Sequence, residues 1–175
     1  MTYVALFRGI NVGGKNLVKM AELRQMLSRM GFLNVKTYIQ SGNAIFDSED
    51  MPDKIKADIQ AAFRKVFGFE CHIVLRTKDE ISAVISALPF SETEIEEAVA
   101  ANADVAHLYF YFADSVPALA AKCDSGDKLI AGMGGIYLLC YESVRDSKLA
   151  MALAKQDIPM TARNWKTLNT LFEMM

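Results

Sequence analysis

The sequence predicts an α+β fold of two tandem ferredoxin-like (α/β-plait) subdomains joined by a helical linker. Three observations carry this expectation. Short apolar runs at strand spacing alternate with stretches whose apolar residues recur every three or four positions, the periodicities of strands and amphipathic helices. Their order in the first half is β-α-β-β-α-β, the split βαβ arrangement. The second half repeats most of that order, and 52% hydrophobic against 23% charged residues over 175 positions supports a packed core.

Tyr3 to Ile10 is apolar at almost every position and reads as a strand buried on both faces. A glycine-rich loop, Asn11 to Asn16, follows. Met20, Leu23, Leu27 and Met30 then recur at helical spacing, with Gly31 placed to end the helix. Val35 to Ile39 and Ala44 to Phe46 form two short strands joined through a hairpin-like turn, Ser41-Gly42-Asn43. Pro52 opens the next helix, whose inner face is read as Ile55, Ile59, Phe63 and Val66, with Gly68 closing it. Cys71 to Arg76 completes the first subdomain, residues 1–77.

Thr77-Lys78-Asp79-Glu80 is a capping box, in which hydroxyl and carboxylate satisfy free amides at a helix start. The helix it opens, with Ile81, Val84, Ile85 and Leu88 inward, and an acidic stretch from Ser91 to Ala101 fill the linker, residues 78–104. Glu92, Glu94, Glu96 and Glu97 read as a solvated face rather than a metal cluster. The second subdomain, residues 105–175, has strands at His107–Phe112, Lys128–Ala131 and Ile136–Tyr141, and helices at Pro117–Lys122 and Lys148–Lys155. A last helix from about Arg163 to Met175 takes the place of a missing final strand, with Trp165 as a core anchor beside Leu168, Leu171 and Phe172.

The net charge of −2 argues against wrapping duplex nucleic acid, where affinity comes largely from neutralising phosphates. No stretch approaches the roughly 20 apolar residues of a membrane span, and the N-terminal run is too short for a secretory signal. Cys71, Cys123 and Cys140 form no C-x-x-C pair, so no metal and no cofactor is expected, and a reducing cytoplasm is the compartment that fits. No membrane partner is expected, and the sequence leaves the oligomeric state open.

Three segments could carry chemistry. Gly9 to Asn16 fits G-x-x-x-x-G-K but puts Asn16 where a nucleotide-binding P-loop needs a magnesium-holding hydroxyl. Two readings stay open for it: a backbone nest for an anion, helped by Lys15, or a tight strand-to-helix connection. Thr161 reads as an N-cap, and Arg163 in the first helical turn would oppose the helix dipole, which calls for a carboxylate partner or an anionic ligand. Gln40-Ser41-Gly42-Asn43 reads as turn chemistry first. An RNA-recognition platform fails, because Asn43 and Ile45 stand where stacking aromatics belong.

RGINVGGKN at 8–16, KMAELR at 19–24, TYIQSGNAIF at 37–46 and TARNW at 161–165 resemble the hallmarks of the domain of unknown function 1697 family. The resemblance implies a bacterial-type cytoplasmic protein of two α/β-plait subdomains and no established activity. It singles out Arg8, Asn11, Gly13, Gly14, Ser41, Gly42, Asn43, Arg163, Asn164 and Trp165. The resulting expectation is a site for a small anionic or phosphorylated ligand, formed by Arg8, Asn11, Gly13, Gly14, Lys15, Ser41, Gly42, Asn43, Arg163 and Asn164. A nucleic-acid accessory module and a structural, partner-binding protein with no small ligand are the alternatives.

Overall fold

In a computed structural model, which describes residues 1–116 and 126–175, the chain is an α+β protein with two four-stranded antiparallel sheets. Six helices lie among the described residues. The chain divides into two compact units, Met1–Ile81 with Thr170–Met175, and Ser82–Asn169. The expected helix at Pro117–Lys122 lies outside the described residues.

The first unit runs β1 (Thr2–Phe7), α1 (Met20–Arg29), β2 (Leu33–Tyr38), β3 (Asn43–Asp47), α2 (Pro52–Phe67) and β4 (Ile73–Thr77). Its sheet order is β2-β3-β1-β4, so β1 is central and pairs with both β3 and β4. One face of β1, through Tyr3, Ala5 and Phe7, packs with Leu23, Met26 and Leu27 of α1 and Ile55, Ile59 and Phe63 of α2. Val4 and Leu6 point to the opposite face and are also fully buried, which is why the strand is apolar without a break from Val4 to Phe7. The α2 stripe departs from expectation at one residue. The i, i+4 row continues from Phe63 to Phe67, whose rings lie 4.6 Å apart, and leaves Val66 54% exposed.

Two capping boxes set the helices that follow β4. The Thr77 amide donates to Glu80 Oε2 at 2.7 Å and the Glu80 amide to Thr77 Oγ1 at 3.2 Å, at the start of α3 (Lys78–Ser86). Ser91 and Glu94 repeat the arrangement at α4 (Glu92–Ala101). Glu94 therefore does more than solvate a face, since it caps its helix and also pairs with Lys128 at 2.6 Å.

The second unit contains β5 (Leu108–Ala113), β6 (Lys128–Gly132), β7 (Gly135–Leu139), α5 (Lys148–Ala154), β8 (Met160–Asn164) and the first turn of α6 (Trp165–Met174). Its sheet order, β6-β7-β5-β8, repeats that of the first. The final strand expected to be missing is present. Met160–Asn164 pairs with β5 in register, Phe112 opposite Thr161 and Phe110 opposite Arg163, and hydrogen bonding to a distant strand outweighs the local helix signal. Thr161 is consequently not an N-cap. Asn164 has that role, its Oδ1 accepting from the Thr167 amide at 2.8 Å. Trp165 is partly buried, its ring 6.4 Å from that of Tyr137.

Candidate functional site

The segment from Arg8 to Val18 leaves the end of β1 and reaches α1 through a small closed loop. Val12 and Lys15 form an isolated antiparallel bridge, with the Lys15 amide donating to Val12 O at 3.0 Å. Between them Gly13 and Gly14 both have positive φ, 58° and 74°, as a type I′ turn requires. Lys15 thus closes a hairpin, and α1 begins only at Met20, which excludes P-loop geometry in structural terms as well.

Asn11 holds this loop together. At φ 55° it occupies the left-handed region that Asn tolerates better than most residues. Its Nδ2 donates to Val18 O and to Gln40 O, each at 2.9 Å, and its Oδ1 accepts from the Val18 amide at 2.8 Å. Its own amide donates to Asn16 O at 3.1 Å, and Asn16 Nδ2 donates to Gly9 O at 3.1 Å. The bond to Gln40 crosses 29 residues and ties the 8–16 loop to the turn that joins β2 to β3.

That turn is fastened to β1 as well. The Phe7 amide donates to Gly42 O at 2.8 Å. A Cβ on Gly42 would stand 2.7 Å from Ile10 Cδ1, so the approach favours glycine, and its φ of 81° favours one independently. Asn43 is fully buried as the first residue of β3, its Nδ2 donating to Tyr38 O at 2.9 Å and Ser41 Oγ at 3.0 Å. Arg8 is anchored by its backbone alone: its amide donates to His72 O at 2.9 Å and its carbonyl accepts from Cys71 Sγ at 3.3 Å, while the side chain is exposed.

The structure therefore brings Arg8, Asn11, Gly13, Gly14, Lys15, Ser41, Gly42 and Asn43 into one hydrogen-bonded region of the first unit. Arg163 and Asn164 belong to the second unit. Arg163 is 5% exposed within β8, where its Nη1 donates to Thr161 Oγ1 at 2.8 Å and Ala162 O at 2.7 Å. Participants not foreseen include the backbone carbonyls that accept these bonds, among them those of Gln40, Val18, Tyr38 and His72, and the Cys71 thiol. Carbonyls carry no sequence signal, whereas the apolar surroundings of Cys71 pointed to its burial.

The electrostatics of the region are locally cationic. Between residues 8 and 36 there are six basic side chains, all exposed, and one acid, Glu22, which pairs with Lys19 at 3.3 Å. Arg8 and Lys15 form no ion pair among the described residues. Beside the loop lies a cleft of about 590 Å³ bordered by Asn11, Leu17, Val18, Lys19, Met20 and Gln40. No group of three or more His, Cys, Asp or Glu side chains comes together as a metal site among the described residues, and no described helix is long and apolar enough to cross a membrane.

These features define an α+β protein of two similarly ordered sheets, with a cationic, glycine-turned loop stapled by an asparagine. The chain belongs to the family described as "Protein of unknown function (DUF1697)", whose match spans residues 1–132 and so includes the stapled loop but ends before Thr161. It is similar over its whole length to a solved structure, the conserved bacterial protein SP0830 from Streptococcus pneumoniae. The two share 28% sequence identity with a TM-score of 0.77, covering 99% of this chain and 97% of that one. No curated protein matches. The function of the chain is accordingly unknown.

Proposed function

We propose that this chain binds a small anionic or phosphorylated ligand, engaged within the first unit by Arg8, Asn11, Gly13, Gly14 and Lys15 and by the Ser41–Asn43 turn. The observation that carries the reading is the bond from Asn11 to Gln40 O at 2.9 Å. It holds a loop bearing Arg8 and Lys15 in a fixed shape beside a second turn. Preorganisation of this kind lowers the ordering cost of binding. The I′ turn adds exposed backbone at Gly13 and Gly14, where no Cβ would obstruct an approaching anion.

The same reading takes each sheet as a ferredoxin-like plait, with residues 1–77 and 105–175 as the subdomains and 78–104 between them. Its support is the shared antiparallel order, second-third-first-fourth. A cytoplasmic location suits the buried free thiols of Cys71 and Cys140.

Thermal unfolding with inorganic phosphate, nucleotides and phosphorylated metabolites tests the binding claim. A ligand at about one hundred times its dissociation constant adds roughly 2.7 kcal/mol and raises the melting temperature. The expected result is a rise with at least one phosphorylated compound that the double substitution Arg8→Ala, Lys15→Ala removes. No rise at millimolar concentration with any of them would refute it.

A further inference from the structure

We infer that the ligand is an anionic amphiphile, whose charged group meets Arg8 and Lys15 and whose short hydrocarbon chain occupies the cleft beside Leu17 and Met20. The inference rests on the anion-binding reading above and narrows its ligand class. Leu17 is 72% exposed, and Val12, across the same closed loop, is 65% exposed. A single exposed aliphatic residue needs no explanation, but here Leu17 borders a cleft that Val18 and Met20 also line. The polar residues of that cleft are Asn11, Lys19, Glu22 and Gln40, and the charges of Lys19 and Glu22 are paired with each other at 3.3 Å. Apolar lining with a few placed polar groups is the usual composition of a small-molecule pocket, and about 590 Å³ lies within the usual size range.

Charge selects the head group. Arg8 and Lys15 stand without carboxylate partners among the described residues, while Lys19 is already paired with Glu22. An anion is attracted to this end of the loop, and a neutral hydrocarbon alone would leave both cations unused. The cleft also argues for a small molecule over a bilayer, because membrane docking calls for a broad apolar face and here Asn11, Lys19, Glu22 and Gln40 interrupt it.

Titration of the full chain with inorganic phosphate and with methyl, butyl and hexyl phosphate reads both parts of the claim. Each methylene buried in the cleft is expected to tighten binding up to about fourfold, the ratio that a buried CH₂ contributes. Leu17→Ser, at an exposed position that folding tolerates, should flatten this dependence on chain length. Lys15→Ala should weaken every probe by a similar factor and keep the slope. Equal affinity for inorganic and hexyl phosphate would overturn the amphiphile inference and leave anion binding standing. No binding of any probe would overturn both. Leu17-dependent binding to phosphatidylglycerol vesicles, with no chain-length slope among the soluble phosphates, would assign the surface to a bilayer and overturn the inference.

Discussion

The β2–β3 hairpin turns through four residues, Ile39 to Gly42, whereas the β6–β7 hairpin turns through two, Met133 and Gly134. The longer turn presents carbonyl groups outward, and Gln40 O and Gly42 O accept from Asn11 and from the Phe7 amide. The shorter one serves packing. Gly132 and Gly135 flank it, and a Cβ on Gly135 would stand 2.1 Å from Tyr111 O and 2.6 Å from Phe110 Cε1. Phe110 and Tyr137 fill that space with ring centroids 4.7 Å apart, and the Tyr137 hydroxyl donates to Val84 O at 2.7 Å. Charge follows the same division. The first unit carries 12 Lys and Arg against 10 Asp and Glu, the second 7 against 11. Two sheets of one strand order thus carry different hairpins, a polar stapled turn in the first and, in the second, a two-residue turn whose flanking glycines admit an aromatic layer.

The sharpest way to break this contrast is Gly135→Ala. The obstruction is a backbone oxygen of the paired strand, which cannot rotate away, so the cost is expected to be about 3 kcal/mol or more. Chemical denaturation measures it. A loss below about 1 kcal/mol would mean that the aromatic layer has slack and that the contrast is overstated.

Asn11→Ala comes next. It removes three side-chain hydrogen bonds and leaves an alanine at φ 55°, for a loss of about 2–3 kcal/mol on ordinary costs of such bonds and of left-handed backbone. Amide exchange should rise at Val18, whose amide donates to Asn11 Oδ1. Unchanged protection there would show that the loop holds its shape without the staple. Gly42→Ala should cost less, about 1–2 kcal/mol, because the nearest obstruction is the end of the Ile10 side chain and most of the strain is the positive φ. If it matched Gly135→Ala, the two hairpins would be equally tight.

How much of this was legible in the sequence depended on how local the deciding interaction is. The Thr77 capping box spans three residues and was readable, as was the double burial of β1 from its unbroken apolar run. β8 was not readable. Met160-Thr-Ala-Arg-Asn164 has little strand character of its own, and its conformation depends on pairing with β5, some fifty residues away. The candidate loop was readable as glycine-rich and cationic, but its joining to the Gln40 turn was not, because Asn11 bonds to a carbonyl 29 residues on. Asn43 looked like a turn residue, yet it opens β3 with its amide nitrogen bonded to Tyr38 and Ser41, an arrangement only the folded hairpin creates.

The smallest expected effect sharpens the comparison through pH. In the second unit the Lys128 ammonium, followed by the Ser91 amide and hydroxyl, holds the Glu94 carboxyl down from 4.5 to about 2. A carboxyl depressed on folding contributes stability that is fully present above its unfolded value and lost as pH falls through its folded value. Stability should therefore decline between about pH 4.5 and pH 2. In the first unit Asp47 is also held below its ordinary value, by Asn34 Nδ2 first and Thr2 Oγ1 second, and these bonds join the ends of β1, β2 and β3. Glu94→Gln should flatten part of the acid limb and leave the portion due to Asp47. Since Glu94 and Lys128 are both partly exposed, added salt should weaken their share more than that of Asp47, whose depression comes first from uncharged donors. Urea titrations at several pH values, with and without half-molar salt, measure both slopes. An acid limb unchanged by Glu94→Gln would place the acid sensitivity of the fold elsewhere than in this pair.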